Sequence, residues 1–259
     1  MNREKQRVTV ISQECLADEI YSMWLSCPSI AAMAKPGQFI NLYSKNGANL
    51  MPRPISICQI DKENGELRIV YRVAGKGTKE FSGFAAGDTV EVLGPLGNGF
   101  YLKDKKALLI GGGIGVPPMV GVAEALKAAG CDVTIVAGYR SKELTFLMDE
   151  LNASGTLYVA SDDGSIGTKG TVIDAIRENS IEAEVIYSCG PTPMLRAIKN
   201  YALPLGIETQ ISMEERMACG IGACLACVCK SKEVDHHTNV HNKRICKDGP
   251  VFYAEEIEL

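Results

Sequence analysis

Through about residue 100, apolar and polar positions alternate in short runs: "RVTVIS", "EIYSMWLS", "QFINLY", "PISICQI", "LRIVYRV" and "TVEVLG". Each run is bounded by Gly, Pro or Asp. This period-two pattern predicts strands of a small antiparallel barrel or sandwich, with one short helix at "TKEFSGF". From about Lys105 the rhythm changes to strand then helix. "ALLIGGG" leads into "PPMVGVAEALKAAG", and "DVTIVAGY" follows as the next strand. A helix at 146–152, strand "LYVASDD", helix "GTVIDAIREN", strand "EVIYSCG", helix "TPMLRAIKNYAL" and strand "IETQIS" continue the series. Such alternation predicts a parallel sheet with helices on both faces. The last fifty or so residues lose this periodicity and read as an irregular, Cys-rich segment. The expected class is therefore α+β multidomain: an antiparallel β-barrel over 1–100, an α/β parallel-sheet domain over 101–211 and the Cys-rich segment over 212–259. No internal repeat or low-complexity linker interrupts it.

Composition supports a soluble globular chain and removes several partners. Of 259 residues, 46% are apolar and 22% charged, close to globular averages. A net charge of −4 argues against a grip on nucleic acid or anionic lipid. The start "MNREKQRVTV" lacks the apolar stretch of a secretory signal, so a cytoplasmic location is expected. Ala107 to Ala123 carries no charged side chain, yet its five glycines and two prolines, and Glu124 after it, argue against a membrane helix. In a reducing compartment, ten cysteines point to metal or redox chemistry rather than disulfides. Cys15, Cys27, Cys58 and Cys131 are isolated and are expected to be small buried hydrophobes. With three His and no convincing Ser/His/Asp or paired-carboxylate arrangement, hydrolytic chemistry is not indicated.

Three glycine-bearing turns could hold phosphates. In "LLIGGGIGVPPM" (108–119) a strand ends in Gly111, Gly112, Gly113 and Gly115 and runs into a helix opened by Pro117 and Pro118. Such a turn lets backbone N–H groups approach a pyrophosphate. The glycine spacing departs from G-x-G-x-x-G, and glycine turns also serve packing. "CGPTPMLRAI" (189–198) is a second strand-to-helix switch; in an open α/β sheet Cys189, Gly190 and Pro191 would face the same crevice. The plainer reading is a tight turn with a buried Cys. "RPISI" (53–57) offers Arg53 and Ser56, flanking Pro54 and Ile55, and "AGKGTKEFS" (74–82) offers Gly77 and Thr78. A strand Arg is more commonly just solvated or ion-paired.

Cys219, Cys224 and Cys227 form C-x4-C-x2-C, the plant-type iron–sulfur run, and Cys246 follows after eighteen intervening residues. Gly220, Gly222 and Ala223 suit a tight loop whose N–H groups point at sulfur. Zinc is the alternative, with His236, His237 or His241 as substitutes, although these lie in a polar stretch that reads as a solvated hairpin loop. Cys229 is expected to point away from the site and to be a bystander.

A barrel before a nucleotide domain, with R-x-x-S, G-K-G-T, G-G-G-x-G and C-G-P in this order, resembles the ferredoxin–NADP reductase superfamily over residues 5–210. The resemblance implies that Arg53, Pro54, Ile55 and Ser56 carry the FAD site, that Val70, Tyr71 and Arg72 line the flavin, and that Gly77 and Thr78 complete its phosphate site. It implies a pyridine dinucleotide at Gly111, Gly112, Gly113 and Gly115, with Cys189, Gly190 and Pro191 near the nicotinamide. Arg140 and Lys142 could take a 2′-phosphate, but Asp162 and Asp163 would repel it, so NAD is expected over NADP. "ERMACGIGACLACVCK" followed by "KRICKDGPVF" is further similar to the electron-transfer subunits of NAD-dependent, type B dihydroorotate dehydrogenases of pyrimidine synthesis. That resemblance implies FAD plus a 2Fe-2S cluster on Cys219, Cys224, Cys227 and Cys246. It also implies a separate FMN-containing catalytic subunit, in a heterotetramer of two subunits of each kind. Electrons would run from that subunit through the cluster and FAD to NAD+. Other flavin and iron–sulfur subunits, of a sulfhydrogenase or a ferredoxin:NADP transhydrogenase, share these sites. A zinc-stabilised nucleotide-binding module without redox turnover is the rival of another class.

Overall fold

A computed structural model describes residues 5–47, 49–234 and 239–259. His236 and His237 therefore lie outside the described residues. The first six strands are β1 (Gln6–Ala17), β2 (Ile20–Ser26), β3 (Phe39–Tyr43), β4 (Arg53–Asp61), β5 (Glu66–Arg72) and β6 (Thr89–Leu96). They close an antiparallel barrel in the order β1-β2-β5-β4-β3-β6. Alternate residues such as Val8, Val10, Met23, Leu25, Ile40, Leu42, Leu67 and Ile69 fill its interior, which is why the period-two pattern was readable. Two short helices serve the barrel. α1 (Pro28–Met33) went unpredicted, and α2 (Lys76–Phe81) begins two residues earlier than "TKEFSGF" suggests.

A parallel sheet follows, formed by β7 (Ala107–Gly112), β8 (Val133–Tyr139), β9 (Thr156–Ser161), β10 (Thr168–Lys169), β11 (Val185–Cys189) and β12 (Glu208–Ser212). Its order is β10-β9-β8-β7-β11-β12, with α3 (Val116–Ala128), α4 (Met148–Ser154), α5 (Val172–Glu178) and α6 (Thr192–Ala202) as connections. α3 is buried over most of its length and lies between sheet and barrel. This explains the uncharged stretch without a membrane, and no helix among the described residues is long and apolar enough to cross one. A Cβ on Gly121 would meet the Cys58 carbonyl oxygen at 2.5 Å, so glycine permits this helix-on-strand contact.

Buried polar contacts reinforce the same interface. Arg68 on β5 donates to Ser22 Oγ and Gln59 Oε1 (both 2.8 Å) within the barrel, and to Glu150 Oε1 on α4 at 2.7 Å. Gln59 in turn donates to Glu124 Oε1 of α3 at 2.5 Å.

The final segment is more ordered than its composition predicts. β13 (Val228–Lys230) and β14 (Asn242–Arg244) form a hairpin, and β15 (Val251–Tyr253) joins the central sheet antiparallel to β12. Phe39 and Leu96 from the barrel, Leu195 and Ile211 from the α/β domain, and Ile245, Phe252 and Ile257 from this segment share one core. Two cysteine expectations are corrected. Cys27 and Cys58 are buried, but Cys15 is exposed and Cys131 only half-buried. Cys15 sits where β1 bulges near its end, and Cys131 in the loop after α3.

Candidate cofactor sites

The barrel motif is held at the start of β4. Arg53 Nη1 donates to the carbonyl oxygens of Met51 (2.7 Å) and Pro52 (3.3 Å), folding the side chain back along its own turn. A Cβ on Gly77 would lie 2.8 Å from Arg53 Nε and 3.1 Å from its Cζ, so the guanidinium packs against Gly77. The two motifs, distant in sequence, thus form one cradle that a larger residue would fill. Pro54 and Ser56 pair across the ladder with Asn41 and Phe39, and with Ile55 both remain half-exposed. Thr78 is buried, and its hydroxyl accepts from the amides of Ala74 (2.9 Å) and Gly75 (3.1 Å), which stiffens the turn. The tripeptide expected to line a flavin closes β5. Val70 faces the α3 interface, and Tyr71 is buried against Phe81 with its hydroxyl donating to Gln13 Oε1 at 2.8 Å. Arg72 alone of the three is exposed, and its guanidinium comes 3.7 Å from where a Gly113 Cβ would be.

The two loops of the α/β domain touch directly. Gly111 pairs with Cys189 across β7 and β11. A Cβ on Gly115 would lie 2.3 Å from the Cys189 carbonyl oxygen, and one on Gly190 3.2 Å from the Gly112 nitrogen. Pro191 Cδ and Met194 Sδ close over Gly112 in the same way. Gly113, with φ +52, marks the sharpest part of the turn. Burial pushes the Cys189 thiol up to about 12, against a contact with the Ser212 side chain, so it stays protonated. At the far end, Ser165 joins the loops after β8 and β9. The Lys142 N–H donates to its hydroxyl at 2.8 Å, and its own N–H and hydroxyl donate to Asp163 Oδ1 at 2.9 and 2.6 Å. These bonds hold the Asp163 carboxyl below its usual range. A fixed negative charge therefore stands beside Arg140 and Lys142.

The C-terminal cysteines divide by depth: Cys227 and Cys246 are buried, Cys219 half-buried and Cys224 exposed. Backbone donors aim at their sulfurs. Gly222 N–H reaches Cys246 Sγ at 3.1 Å, Ala223 N–H reaches Cys219 Sγ at 3.3 Å, and Cys246 N–H reaches Cys227 Sγ at 3.4 Å. Gly220 and Gly222, with φ +68 and +86, supply the left-handed turns this needs. Burial raises the Cys219 thiol, but the Ile221, Cys224 and Ala223 donors outweigh it and bring it down to about 6. Among the described residues, no three His, Cys, Asp or Glu side chains converge on a point that would hold one ion. Four thiols over a loop of N–H donors suit a cluster whose two irons divide the ligands between them. His241 is exposed, with Nδ1 2.9 Å from the Lys232 carbonyl oxygen. Cys229 lies on β13 and packs against the core that holds Cys227. Its thiol donates to the Lys243 carbonyl oxygen at 3.6 Å, and burial pushes it up to about 11.

Barrel, glycine crevice and thiol loop in one chain define a flavin- and pyridine-nucleotide-dependent oxidoreductase with an iron–sulfur segment. Family profiles agree: an oxidoreductase FAD-binding domain matches residues 7–101, an oxidoreductase NAD-binding domain 109–200, and the iron-sulfur cluster binding domain of dihydroorotate dehydrogenase B 214–258. The chain is 45% identical, over 98% of its length and 99% of the relative's, to the dihydroorotate dehydrogenase B (NAD(+)) electron transfer subunit of Geobacillus kaustophilus. It is 47% identical, over 96% and 97%, to that of Listeria innocua. The chain belongs to the family of dihydroorotate dehydrogenase B electron transfer subunits. Among solved structures, an NADH-dependent reduced ferredoxin-NADP oxidoreductase superposes with a TM-score of 0.87 at 32% identity, covering 100% of this chain and 91% of that one. Phthalate dioxygenase reductase shares the fold, with a TM-score of 0.66 at 20% identity over 93% and 94%.

Sequence reasoning missed Asn41, a fully buried amide on β3 that touches the thiol loop. In the sequence it is one polar residue in an apolar run, which carries no signal of what covers it.

Proposed function

We propose that this chain carries electrons from a separate FMN-containing subunit, which oxidises dihydroorotate to orotate, to NAD+. The observation that carries this reading is the match of residues 214–258 to a cluster domain specific to dihydroorotate dehydrogenase B, inside full-length similarity to its electron transfer subunits. FAD, when bound, exchanges hydride with a nicotinamide and single electrons with an iron–sulfur centre, so it joins a two-electron carrier to a one-electron carrier.

The chain's residues bind and orient. In our reading Arg53, resting on Gly77, holds the flavin pyrophosphate as a charge-assisted donor. Pro54, Ile55 and Ser56 present the strand edge, Val70, Tyr71 and Arg72 line the flavin from β5, and Gly77 and Thr78 complete its phosphate site. Arg72 reaches across to the nucleotide crevice. Gly111, Gly112, Gly113 and Gly115 let the NAD pyrophosphate approach the start of α3. Cys189, Gly190 and Pro191 border the nicotinamide, where a protonated thiol adds no charge. Cys219, Cys224, Cys227 and Cys246 hold the 2Fe-2S cluster, and Cys229 is outside the ligand set. We take 1–100, 101–211 and 212–259 as the three functional units, the complex as two copies of each subunit, and its site as the cytoplasm.

Co-expression with a candidate FMN subunit, followed by assay of dihydroorotate-dependent NAD+ reduction, tests the reading. Activity only in the co-expressed complex is expected. The 32% identity to a reduced ferredoxin-NADP oxidoreductase favours one second reading: reduction of NADP+ by reduced ferredoxin, with no dihydroorotate activity, would replace the proposal.

A further inference from the structure

β3 bears a polar residue on a face that should be apolar or wet. Ile40 and Leu42 point into the barrel, so Asn41 between them points outward, yet it is fully buried. What covers it is the thiol loop from the other end of the chain. Asn41 Nδ2 donates to the Cys219 carbonyl oxygen at 3.3 Å, across 178 positions of sequence. Gly220 lies against the same amide: a Cβ there would sit 2.3 Å from Nδ2 and 3.1 Å from Oδ1. The amide orientation is fixed, because the flipped form would set two oxygens against each other. In that orientation Oδ1 is buried and has no hydrogen-bond partner among the described residues. A buried acceptor without a protein partner is disfavoured, so the hydrogen bond made by Nδ2 is held at a cost on the Oδ1 side.

The cross-strand register gives the contact its meaning. Asn41 pairs with Pro54, and Phe39 with Ser56, so all four share the outer face of β3 and β4. A path from Cys219 to the flavin motif therefore runs through one hydrogen bond and one cross-strand pair. We propose that Asn41 is a positioning residue that ties Cys219 to the strand pair carrying the flavin motif, and so fixes the gap that electrons cross between the two cofactors. The inference rests on the FAD and 2Fe-2S assignments above, and is independent of which partner supplies the electrons.

Two variants approach the contact from opposite sides. Asn41→Leu keeps the bulk and removes the donor, while Gly220→Ala leaves the barrel strand intact and forces the loop away. Each is purified with its cofactors and mixed with NADH in a stopped-flow instrument that follows flavin and cluster absorbance separately. Cluster reduction should slow by roughly tenfold more than flavin reduction does, as expected when one buried hydrogen bond no longer docks the loop. The reduced-cluster EPR spectrum should broaden, and amides in residues 217–224 should exchange with deuterium about tenfold faster. Should Asn41→Leu fail to fold, Gly220→Ala decides. Unchanged cluster kinetics, EPR and exchange in a variant that keeps both cofactors overturn the proposal. Unmutated protein without flavin or iron would instead overturn the cofactor assignments, and the inference with them.

Discussion

Gly115 ends the glycine turn and opens α3, and its backbone is unremarkable, with φ −83 and ψ −7. Any residue could adopt that conformation, so the effect of Gly115→Ala is one of contact alone. The new methyl would lie 2.3 Å from the Cys189 oxygen, 2.5 Å from its carbonyl carbon and 2.6 Å from the Gly190 nitrogen. All three are backbone atoms, and none can rotate away. β11 is locked between β7 and β12 up to Cys189, so the displacement must fall on residues 189–191. Restoring ordinary van der Waals contact takes roughly 1 Å. Overpacking of this kind costs about 1–3 kcal/mol, or on the order of 2–10 °C in melting temperature for a chain this size. A shift of about 1 Å in a group that positions a reactant costs up to about 100-fold in rate. In FAD-loaded protein, kcat/KM for NADH with ferricyanide should therefore fall between about 10- and 100-fold, while flavin content is retained. Gly83→Ala is the control: that glycine is exposed, and its Cβ would lie 3.4 Å from the Glu80 oxygen. A Gly115→Ala protein that melts earlier yet uses NADH normally would refute the placement of the nicotinamide beside Cys189.

Cys224→Ser should abolish cluster absorbance and iron content while sparing NADH–ferricyanide turnover, and Cys229→Ser should leave the cluster in place; equal loss from both would show the ligand set to be wrong. Arg68→Met removes the guanidinium that bridges Gln59, Ser22 and Glu150. The cost should be on the order of 3 kcal/mol, the low end for a broken buried pair because Glu150 keeps some solvent; a denaturant midpoint unchanged from wild type would show that barrel and sheet do not depend on this tie. Burial raises the pKa of Glu124, against the opposing hydrogen bond from Gln59. With the folded value above the unfolded one, its contribution is fully present below the unfolded pKa of about 4.3 and is lost as pH rises through the folded value. Glu124→Gln should therefore melt higher than wild type at pH 8, with the gap narrowing toward pH 5; a gap independent of pH would contradict this environment for the carboxylate.

The barrel and the parallel sheet were legible because their residues obey local periods. Val8 and Val10 on β1, and Val90 and Val92 on β6, alternate with more exposed neighbours, and the helices return at regular intervals between apolar strands. The cysteine ligand candidates were legible from spacing. What escaped was anything set by a long-range contact. β15 is three residues long, too short to show a period, and becomes a strand only by lying beside β12. That Val70 packs toward α3 and Tyr71 against Phe81 likewise depends on partners far along the chain. The hydrogen bond from the Cys229 thiol to the Lys243 carbonyl, across the β13–β14 hairpin, is another contact that a sequence does not display.

The C-terminal segment does more than carry thiols. Cys227 and Cys246 lie in the core that joins Phe39 and Leu96 of the barrel to Leu195 and Ile211 of the α/β domain. Cys219 is tied to the barrel by Asn41, and Cys224 faces solvent. Three of the four candidate ligands are thus positioned by contacts that also hold the two larger units in register, leaving one side of the loop toward the exterior. Dense cores move as blocks rather than deforming continuously, so the place of the thiol loop beside the barrel is set by the packing that stabilises the fold. The exposed Ile221 and Leu225 flank Cys224 in sequence on this outer side. One face of the thiol loop is therefore packed against the barrel and the α/β domain, and the other, which bears Cys224, Ile221 and Leu225, is exposed.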